Sequence, residues 1–399
     1  MDTKLEQKPL GLYIHIPFCH TKCTYCDFNT YTGLENLIDD FTESICNEIE
    51  FWSITDKYSV NSIFIGGGTP SYIDVENLEK IINKINSNFK ISKEIEITME
   101  INPEDVTDKK ALLWKNIGIN RCSVGIQSLN DDELKIINRR HTANKAINSI
   151  NILKKYFKNV SIDLIYGLPK QNLKSYLDTL EKIIKINPNH ISAYSLQVEK
   201  GTYLNEQVFK NEVVVATDDI SAEMYKKTQN ILKKNNYINY EISNWSKNGL
   251  LSEHNMKYWK LEPYIGIGPG AHSYLEKKRF SVIKSPKKYI QSIKKIKKNK
   301  IINIEEKIRF LKKNTFFEIY EEHNSKNEKL EFLMLSLRLE QGIDIKDFKQ
   351  RFSQDFDELY LNKLKNYFKN NILEKNNGFY KLTDKGKLFA NEVANNFVD

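Results

Sequence analysis

Six short hydrophobic runs in the first half of the chain alternate with longer segments in which apolar residues recur every three or four positions. Runs of this length are typical of buried strands, and the longer periodicity is typical of amphipathic helices. Strands alternating with helices predict an α/β fold with a parallel sheet. Six units favour an incomplete (β/α)6 barrel, similar to part of a TIM barrel, over an open doubly wound sheet. The predicted strands cover residues 10–16, 61–66, 94–101, 121–127, 160–167 and 190–198.

The pattern changes after residue 198. A helix is predicted over residues 218–235, and mixed strand and loop segments at 237–245 and 258–274 extend the edge of the barrel. Residues 367–393 have the pattern of a helix, a turn, a short strand pair and a closing helix, which resembles a winged-helix module. We therefore predict three parts: a barrel core at 1–215, a barrel extension at 216–284, and a smaller C-terminal helical, winged-helix-like domain at 285–399.

Composition narrows the class of protein. The 399 residues are 40% hydrophobic and 28% charged, which is typical of a globular chain with a large core. No apolar run reaches the about 20 residues of a membrane helix. The N-terminus is charged and lacks the apolar stretch of a secretory signal, so we expect a cytoplasmic protein. Only five cysteines occur, three of them on one loop, which favours thiolate chemistry over disulfides.

The net charge of +8 is concentrated in one segment. Residues 277–314 contain fifteen lysines and arginines against two acidic residues, Glu305 and Glu306. Such a segment binds nucleic acid or an anionic membrane surface in some proteins, and is only a solvated helical surface in others. Neither an aromatic platform nor a glycine-rich nucleic-acid motif accompanies the lysines. We therefore favour the solvated surface, keep a membrane surface as an alternative partner, and do not expect nucleic acid.

Unusual polar and small residues follow each predicted strand. Because the carboxyl ends of parallel strands lie at one edge of a barrel, we expect these residues to form one site. In chain order they are Cys19, Cys23 and Cys26; Gly66, Gly67, Gly68, Thr69 and Pro70; Glu100; Gly125 and Gln127; Asp163; and Gln197.

The three cysteines are separated by four and three positions in CHTKCTYC. A structural zinc site would need a fourth ligand, such as His15 or His20. A four-iron cluster accepts thiolates from closely spaced cysteines, and three of them leave one iron open to a small molecule. The spacing favours the cluster, with zinc and the absence of any metal as alternatives.

The cysteine segment resembles the Cys-x-x-x-Cys-x-x-Cys signature of the radical S-adenosylmethionine (SAM) superfamily. Further segments, YIHIPFC, IGGGTPS, EINPED, VGIQS, INRRHTA, DLIYGLP and YEISNW, resemble blocks of the oxygen-independent coproporphyrinogen oxidase group. The resemblance implies a [4Fe–4S] cluster on Cys19, Cys23 and Cys26. Its open iron would chelate the amino and carboxylate groups of SAM.

The same resemblance implies roles for residues around the cluster. Tyr13 and Tyr25 would flank the cluster and SAM, and Glu100 would hold SAM by a charge-assisted hydrogen bond. The backbone N–H groups near the methionine moiety would come from Gly67, Gly68 and Thr69. The other residues that would line the SAM site are Gln127, Arg139, Asp163 and Tyr240.

Two features separate branches of this group. The coproporphyrinogen dehydrogenases carry another cysteine two positions after the third, where this chain has Phe28. In contrast, SEHNMKYW at 252–259 resembles the His-Asn-x-x-Tyr-Trp motif of HemW-type haem chaperones. That resemblance implies His254 as a haem ligand, with Tyr258 and Trp259 against the porphyrin. The alternative is that His254 is an ordinary hydrogen-bonded surface residue.

The sequence therefore predicts a radical-SAM-fold haem chaperone. It would bind a [4Fe–4S] cluster, SAM and haem, and transfer the haem to an acceptor protein. One alternative is an oxygen-independent coproporphyrinogen III oxidase of porphyrin biosynthesis. A second is a radical SAM enzyme that acts on RNA.

Overall fold

The computed structural model describes residues 7–53, 57–296, 301 and 303–397, which form fifteen strands and fifteen α-helices. The strands are β1 (Lys8–Ile16), β2 (Tyr58–Gly67), β3 (Ile91–Ile101), β4 (Arg121–Gln127), β5 (Asn159–Tyr166), β6 (His190–Ser195), β7 (Ile238–Glu241), β8 (Asn244–Ser246), β9 (Tyr264–Ile267), β10 (His272–Leu275), β11 (Lys278–Val282), β12 (Phe317–Glu322), β13 (Ile343–Asp344), β14 (Leu373–Asn376) and β15 (Phe379–Leu382). The helices are α1 (Ile38–Trp52), α2 (Val75–Asn88), α3 (Asp108–Asn116), α4 (Asp131–Ile136), α5 (Ala143–Tyr156), α6 (Leu173–Ile186), α7 (Tyr203–Phe209), α8 (Asp218–Lys234), α9 (Glu253–Trp259), α10 (Pro286–Ile296), α11 (Ile304–Lys313), α12 (Ser325–Ser336), α13 (Ile345–Phe352), α14 (Phe356–Lys369) and α15 (Ala390–Asn395).

The six predicted strands form the parallel centre of a twelve-stranded sheet. They lie side by side in chain order from β1 to β6, and every pair of neighbours is parallel. The second neighbour of β1 is β9, and the second neighbour of β6 is β8. Since β1 and β6 do not pair with each other, the barrel is incomplete, and the predicted fold class is confirmed.

Four of the helices that cover this sheet begin at side-chain caps. In each case a Thr or Asn oxygen accepts a hydrogen bond from the backbone N–H three residues later, which contributes about 1 kcal/mol to helix stability. These caps are Thr107 of α3, Thr142 of α5, Asn172 of α6 and Thr217 of α8. These caps fix where the four helices start, and so fix the length of the loops that precede them.

Two large apolar clusters account for most of the core of the described chain, beside a small third one of Ile137, Ile165 and Leu168. The first contains the strands and the inner faces of the covering helices, and it extends to Phe316. The second is built from α12 to α15 with β13 to β15, together with Leu261, Tyr264 and Tyr274. Helices α13 and α14 precede the antiparallel hairpin β14–β15, as expected for a winged-helix-like module. The exact domain boundaries at 215 and 285 stay predictions.

The C-terminal module packs against β7 and α9. The Glu340 N–H donates to the Tyr240 carbonyl at 3.0 Å, and the Arg338 guanidinium lies over the Trp259 ring at 4.7 Å. The C-terminal module therefore covers one side of the helix that carries the HNMKYW segment.

Much of the basic segment is paired or packed. Lys294 and Lys284 lie 3.6 and 3.8 Å from Asp40 and Glu318, and the buried Lys307 ammonium donates to a backbone carbonyl. Residues 297–300 and 302 of this segment lie outside the described residues. Across the described ranges no helix has both the length and the apolar character needed to cross a bilayer. These contacts support the solvated-surface interpretation, and the membrane surface stays a hypothesis.

Candidate functional site

A cavity of about 640 Å³ opens at the carboxyl edge of the parallel sheet. Each of the six parallel strands, or the loop that follows it, contributes to its wall, because the carboxyl ends of β1 to β6 meet there. Of the residues predicted for the site, those that line the cavity are Tyr13, Cys19, Cys23, Tyr25, Cys26, Gly67, Gly68, Thr69, Pro70, Glu100, Gly125, Gln127, Arg139, Asp163 and Gln197. Gly66, Tyr240 and His254 are not part of the lining.

The cysteine loop lies between β1 and α1 and is fixed to its neighbours by backbone hydrogen bonds. The Cys19 N–H donates to the Tyr31 carbonyl at 2.9 Å, and the Thr24 N–H donates to the Ile137 carbonyl at 3.3 Å. Cys19 is buried, whereas Cys23 and Cys26 are half-buried, and none of the three is in a disulfide. Three free thiols therefore face one cavity from a loop that is held in place.

The described residues do not support a single-ion site. Nowhere in the described ranges are three His, Cys, Asp or Glu side chains grouped as the ligands of one metal ion would be. Both ring nitrogens of His15 already have partners, the Tyr13 hydroxyl and the Asn29 carbonyl, each at 2.9 Å. His20 is exposed, and its ring is hydrogen-bonded to the Thr21 hydroxyl. A four-iron cluster is wider than an ion, so this donor set fits the cluster better than zinc.

Burial controls the protonation of the thiols. It raises the pKa of Cys19 to about 11, although the hydrogen bond from Thr69 opposes the shift. Burial also raises the pKa of Cys26. Without a metal these thiols are neutral, so cluster binding must release their protons.

The backbone N–H groups of the glycine segment at the end of β2 are hydrogen-bonded to other parts of the protein. The N–H groups of Gly67, Gly68 and Thr69 donate to the Glu100 carboxylate, the Ile16 carbonyl and the Phe18 carbonyl, at 2.9, 2.7 and 2.9 Å. Because each N–H already has a protein acceptor, these groups would have to exchange partners to contact SAM, and their role at the SAM site stays a prediction. A Cβ at Gly67, whose φ is +112°, would lie 2.6 Å from the His15 ring. The glycine is needed there to make room for that imidazole.

Two half-buried carboxyl groups, Glu100 and Asp163, face the cavity. Burial raises the pKa of Glu100 to about 8, while the Gly67 N–H lowers it and Asp163 raises it further. Burial also raises the pKa of Asp163, against hydrogen bonds from Ser192 and Ser123. Glu100 is therefore mostly neutral at pH 7, and a cationic ligand would favour its ionised form.

His254 lies behind the cavity wall rather than on the surface. It belongs to α9 and is 0% exposed, so the surface-residue alternative is wrong. Its Nδ1 lies 3.0 Å from the Ser62 hydroxyl, and its Nε2 lies 2.9 Å from the Tyr258 hydroxyl. Burial lowers the pKa of His254 to about 3, so the ring is neutral. Tyr258 and Asn255 line the cavity and separate His254 from it.

Tyr240 does not line the cavity, and its contact with SAM stays a prediction. Its hydroxyl is hydrogen-bonded to His190 Nε2 at 2.7 Å, and it accepts a second hydrogen bond from the Ser252 N–H at 3.3 Å. Both bonds lie between β6, β7 and the start of α9. In this arrangement Tyr240 supports the helix that carries His254.

Several lining residues were missed by the sequence analysis. They lie on a strand that carries or precedes a predicted residue, or on α9, and they include Phe64, Arg121, Ser123, Ser192, Tyr194 and Asn255. Ser123 precedes Gly125 by two positions, and Tyr194 follows Ser192 by two. The two-residue period of a strand could have identified them, because alternate side chains share a face.

Comparison with known proteins gives the family. Residues 13–183 match the radical SAM superfamily, and residues 325–389 match the HemN C-terminal domain. Haem chaperone HemW of Buchnera aphidicola from Schizaphis graminum is 34% identical, over 98% of this chain and 99% of its own length. HemW of Bacillus subtilis is 32% identical over 97% and 98%. This chain belongs to the HemW family. The predicted family is thereby confirmed.

A solved structure supports the fold of this HemW-family chain. Coproporphyrinogen III oxidase (HemN) from Escherichia coli superposes with a TM-score of 0.82, covering 99% of this chain and 91% of that one. The two sequences are 19% identical. At that identity the likeness establishes a common fold, including the C-terminal domain, and does not extend to the reaction.

Proposed function

We propose that this protein is a haem chaperone that acts in the cytoplasm, binds haem and transfers it to an acceptor protein. The relatives that match this chain over 98% or more of their own length are named haem chaperone HemW. The structural observation that carries the proposal is the position of α9. This helix holds the HNMKYW segment and contributes Asn255 and Tyr258 to the cavity that the three cysteines line. The haem motif and the cysteine loop therefore serve one site.

The cofactor side of the proposal follows from the superfamily and the cavity. Cys19, Cys23 and Cys26 would hold a [4Fe–4S] cluster, which supplies an open iron and a transferable electron when it is bound. Glu100 would bind the cationic part of SAM, since it faces the same cavity. Arg139 and Asp163, which line the same cavity, would add one positive and one negative partner for the charged ends of SAM.

The haem side involves a change of partners at His254. The neutral imidazole is ready to bind iron, and its Nδ1 is oriented by Ser62. Its Nε2, however, is bonded to the Tyr258 hydroxyl. Haem would therefore have to displace Tyr258 from Nε2, at a cost of about 1 kcal/mol for the lost hydrogen bond. The freed Tyr258 ring, already in the cavity wall, would then lie against the porphyrin.

The test is a haem titration followed by absorbance. We expect His254→Ala to weaken haem binding at least about tenfold, because the iron loses its ligand. Tyr258→Phe is expected to bind haem at least as tightly as the wild type, because it removes the competing hydroxyl. His20→Ala, which changes an exposed histidine of the cysteine loop, is the matched control. Equal binding by the wild type and His254→Ala would refute the haem site.

Transfer is tested separately from binding. Haem-loaded protein is mixed with increasing amounts of an apo-haem-protein, and the rate of haem appearance on the acceptor is followed. A chaperone gives a rate that rises with acceptor concentration, whereas simple release gives a constant rate. Anaerobic incubation with coproporphyrinogen and SAM tests the oxidase alternative, and steady formation of protoporphyrinogen would replace our proposal.

A further inference from the structure

Two of the three cysteine sulfurs receive a hydrogen bond from a side chain outside the cysteine loop. The Thr69 hydroxyl, from the loop after β2, donates to Cys19 Sγ at 3.3 Å. The Arg139 guanidinium, from the turn after α4, donates through Nη1 to Cys23 Sγ at 3.4 Å. The two donors come from separate segments, so neither contact follows from the local conformation of the cysteine loop.

The third sulfur has a weaker contact within its own loop. Cys26 Sγ lies 4.0 Å from the Thr30 hydroxyl. A thiolate bound to iron can only accept, so Thr30 would be the donor. The length of this contact makes it the weakest of the three.

The position of Arg139 is fixed by several contacts. Its Nη2 donates to the Gly125 carbonyl at 2.5 Å, and a Cβ at Gly125 would lie 3.3 Å from that nitrogen. The preceding residue, Asn138, donates to the Lys22 carbonyl of the cysteine loop at 2.9 Å. Asn138 has a φ of +58°, a conformation that asparagine adopts more readily than most residues. The turn is therefore tied to the cysteine loop and aims the guanidinium at Cys23.

We propose that Arg139 and Thr69 raise the reduction potential of the cluster, with Arg139 as the stronger contributor. This inference rests on the proposed function, because it requires a cluster on the cysteines. Reduction adds one electron, supplied by a low-potential one-electron donor, and breaks no bond. Hydrogen bonds to the sulfurs and a nearby positive charge stabilise the reduced, more negative state. Arg139 is already protonated, so no proton has to accompany the electron.

The test is a redox titration of the reconstituted protein without SAM, followed by electron paramagnetic resonance (EPR). Omitting SAM removes any contribution from contacts between Arg139 and the substrate. Arg139→Gln is expected to lower the ratio of reduced to oxidised cluster about tenfold at a fixed solution potential, which is 59 mV for one electron. The matched control is Arg140→Gln, which removes the same charge from a residue paired with Asp105. The control is expected to leave the midpoint potential unchanged.

Substitutions at Thr69 give an independent test that does not alter the charge of the site. Thr69→Val keeps the shape and removes the hydroxyl, and is expected to lower the midpoint potential by less than Arg139→Gln. Thr69→Ser is expected to restore the wild-type value, which a purely structural role would not predict. Thr21→Val, at another cavity threonine, is the control.

The outcomes separate this inference from the proposed function. If the wild type assembles no cluster, the proposed cofactor is wrong. If the wild type and Thr69→Val assemble equal iron and sulfide and have the same midpoint potential, the role of Thr69 is wrong. An unchanged potential in Arg139→Gln refutes the role of Arg139. Should Arg139→Gln fail to assemble, Arg139→Lys replaces it, because loss of the planar fork at retained charge is expected to give a smaller downward shift.

Discussion

The raised pKa of Glu100 predicts a specific pH dependence of SAM binding. Burial holds this carboxyl mostly neutral at pH 7, with a pKa of about 8. The sulfonium of SAM is positively charged, so it is attracted by the ionised carboxylate and not by the neutral acid. Affinity should therefore rise with pH as Glu100 loses its proton. Replacing Glu100 by Gln removes both the charge and its titration.

The size of the effect follows from the ionised fraction. With a pKa of about 8, about one tenth of Glu100 is ionised at pH 7 and about nine tenths at pH 9. Apparent affinity scales with the fraction of the competent form, so this group alone tightens binding about tenfold, or about 1.4 kcal/mol. The α-amino group of SAM also titrates near pH 8. The contribution of this amino group to the pH dependence is the same in the wild type and the variant. It therefore cancels in the ratio of their dissociation constants.

The assay is calorimetric titration of SAM into the anaerobic, reconstituted protein at pH 7 and pH 9. The ratio of dissociation constants, Glu100→Gln to wild type, is expected to grow about tenfold between the two values. Glu104→Gln, at an exposed acid on the following turn, should track the wild type. A ratio that is the same at both pH values would refute the assignment of Glu100 as the group that binds the cation.

Two further predictions concern stability. Burial raises the pKa of Glu48 to about 7, so its favourable contribution is complete below about pH 4.5 and is lost as pH rises through 7. Chemical unfolding should show Glu48→Gln gaining up to about 3 kcal/mol relative to the wild type between pH 4.5 and 8. A Cβ at Gly67 would clash with the His15 ring, whereas Gly33, also at positive φ, has open space. Gly67→Ala should therefore cost more unfolding free energy than the about 1 kcal/mol expected for Gly33→Ala, and equal costs would contradict the packing argument.

The parallel centre of the fold was predictable because its signal is local. Buried strands are nearly continuous hydrophobic runs, and the predicted run at 121–127 coincides with β4, Arg121–Gln127. Helix α9 was missed because it has only seven residues, too few for a helical period to be recognised. Its Ser252 cap, which accepts from the Asn255 N–H, was the available signal.

The site was predictable as a set of residues but not as a set of contacts. That the loops after β1 and β2 meet follows from parallel pairing, so Cys19 and Thr69 were expected near each other. That the Thr69 N–H binds a carbonyl of the β1 loop depends on the register of these strands, which no local pattern encodes. The contact of His254 with Ser62 joins residues far apart in the chain, and so required the fold.

The central claim is that one cavity serves both the cluster and haem. It is tested most directly by low-temperature EPR of the reduced, reconstituted protein before and after one equivalent of haem. We predict a cluster signal that requires all three cysteines, and that haem alters its line shape or relaxation in the wild type but not in His254→Ala. A protein that assembles no cluster, or a cluster signal that bound haem leaves unchanged, would contradict the claim.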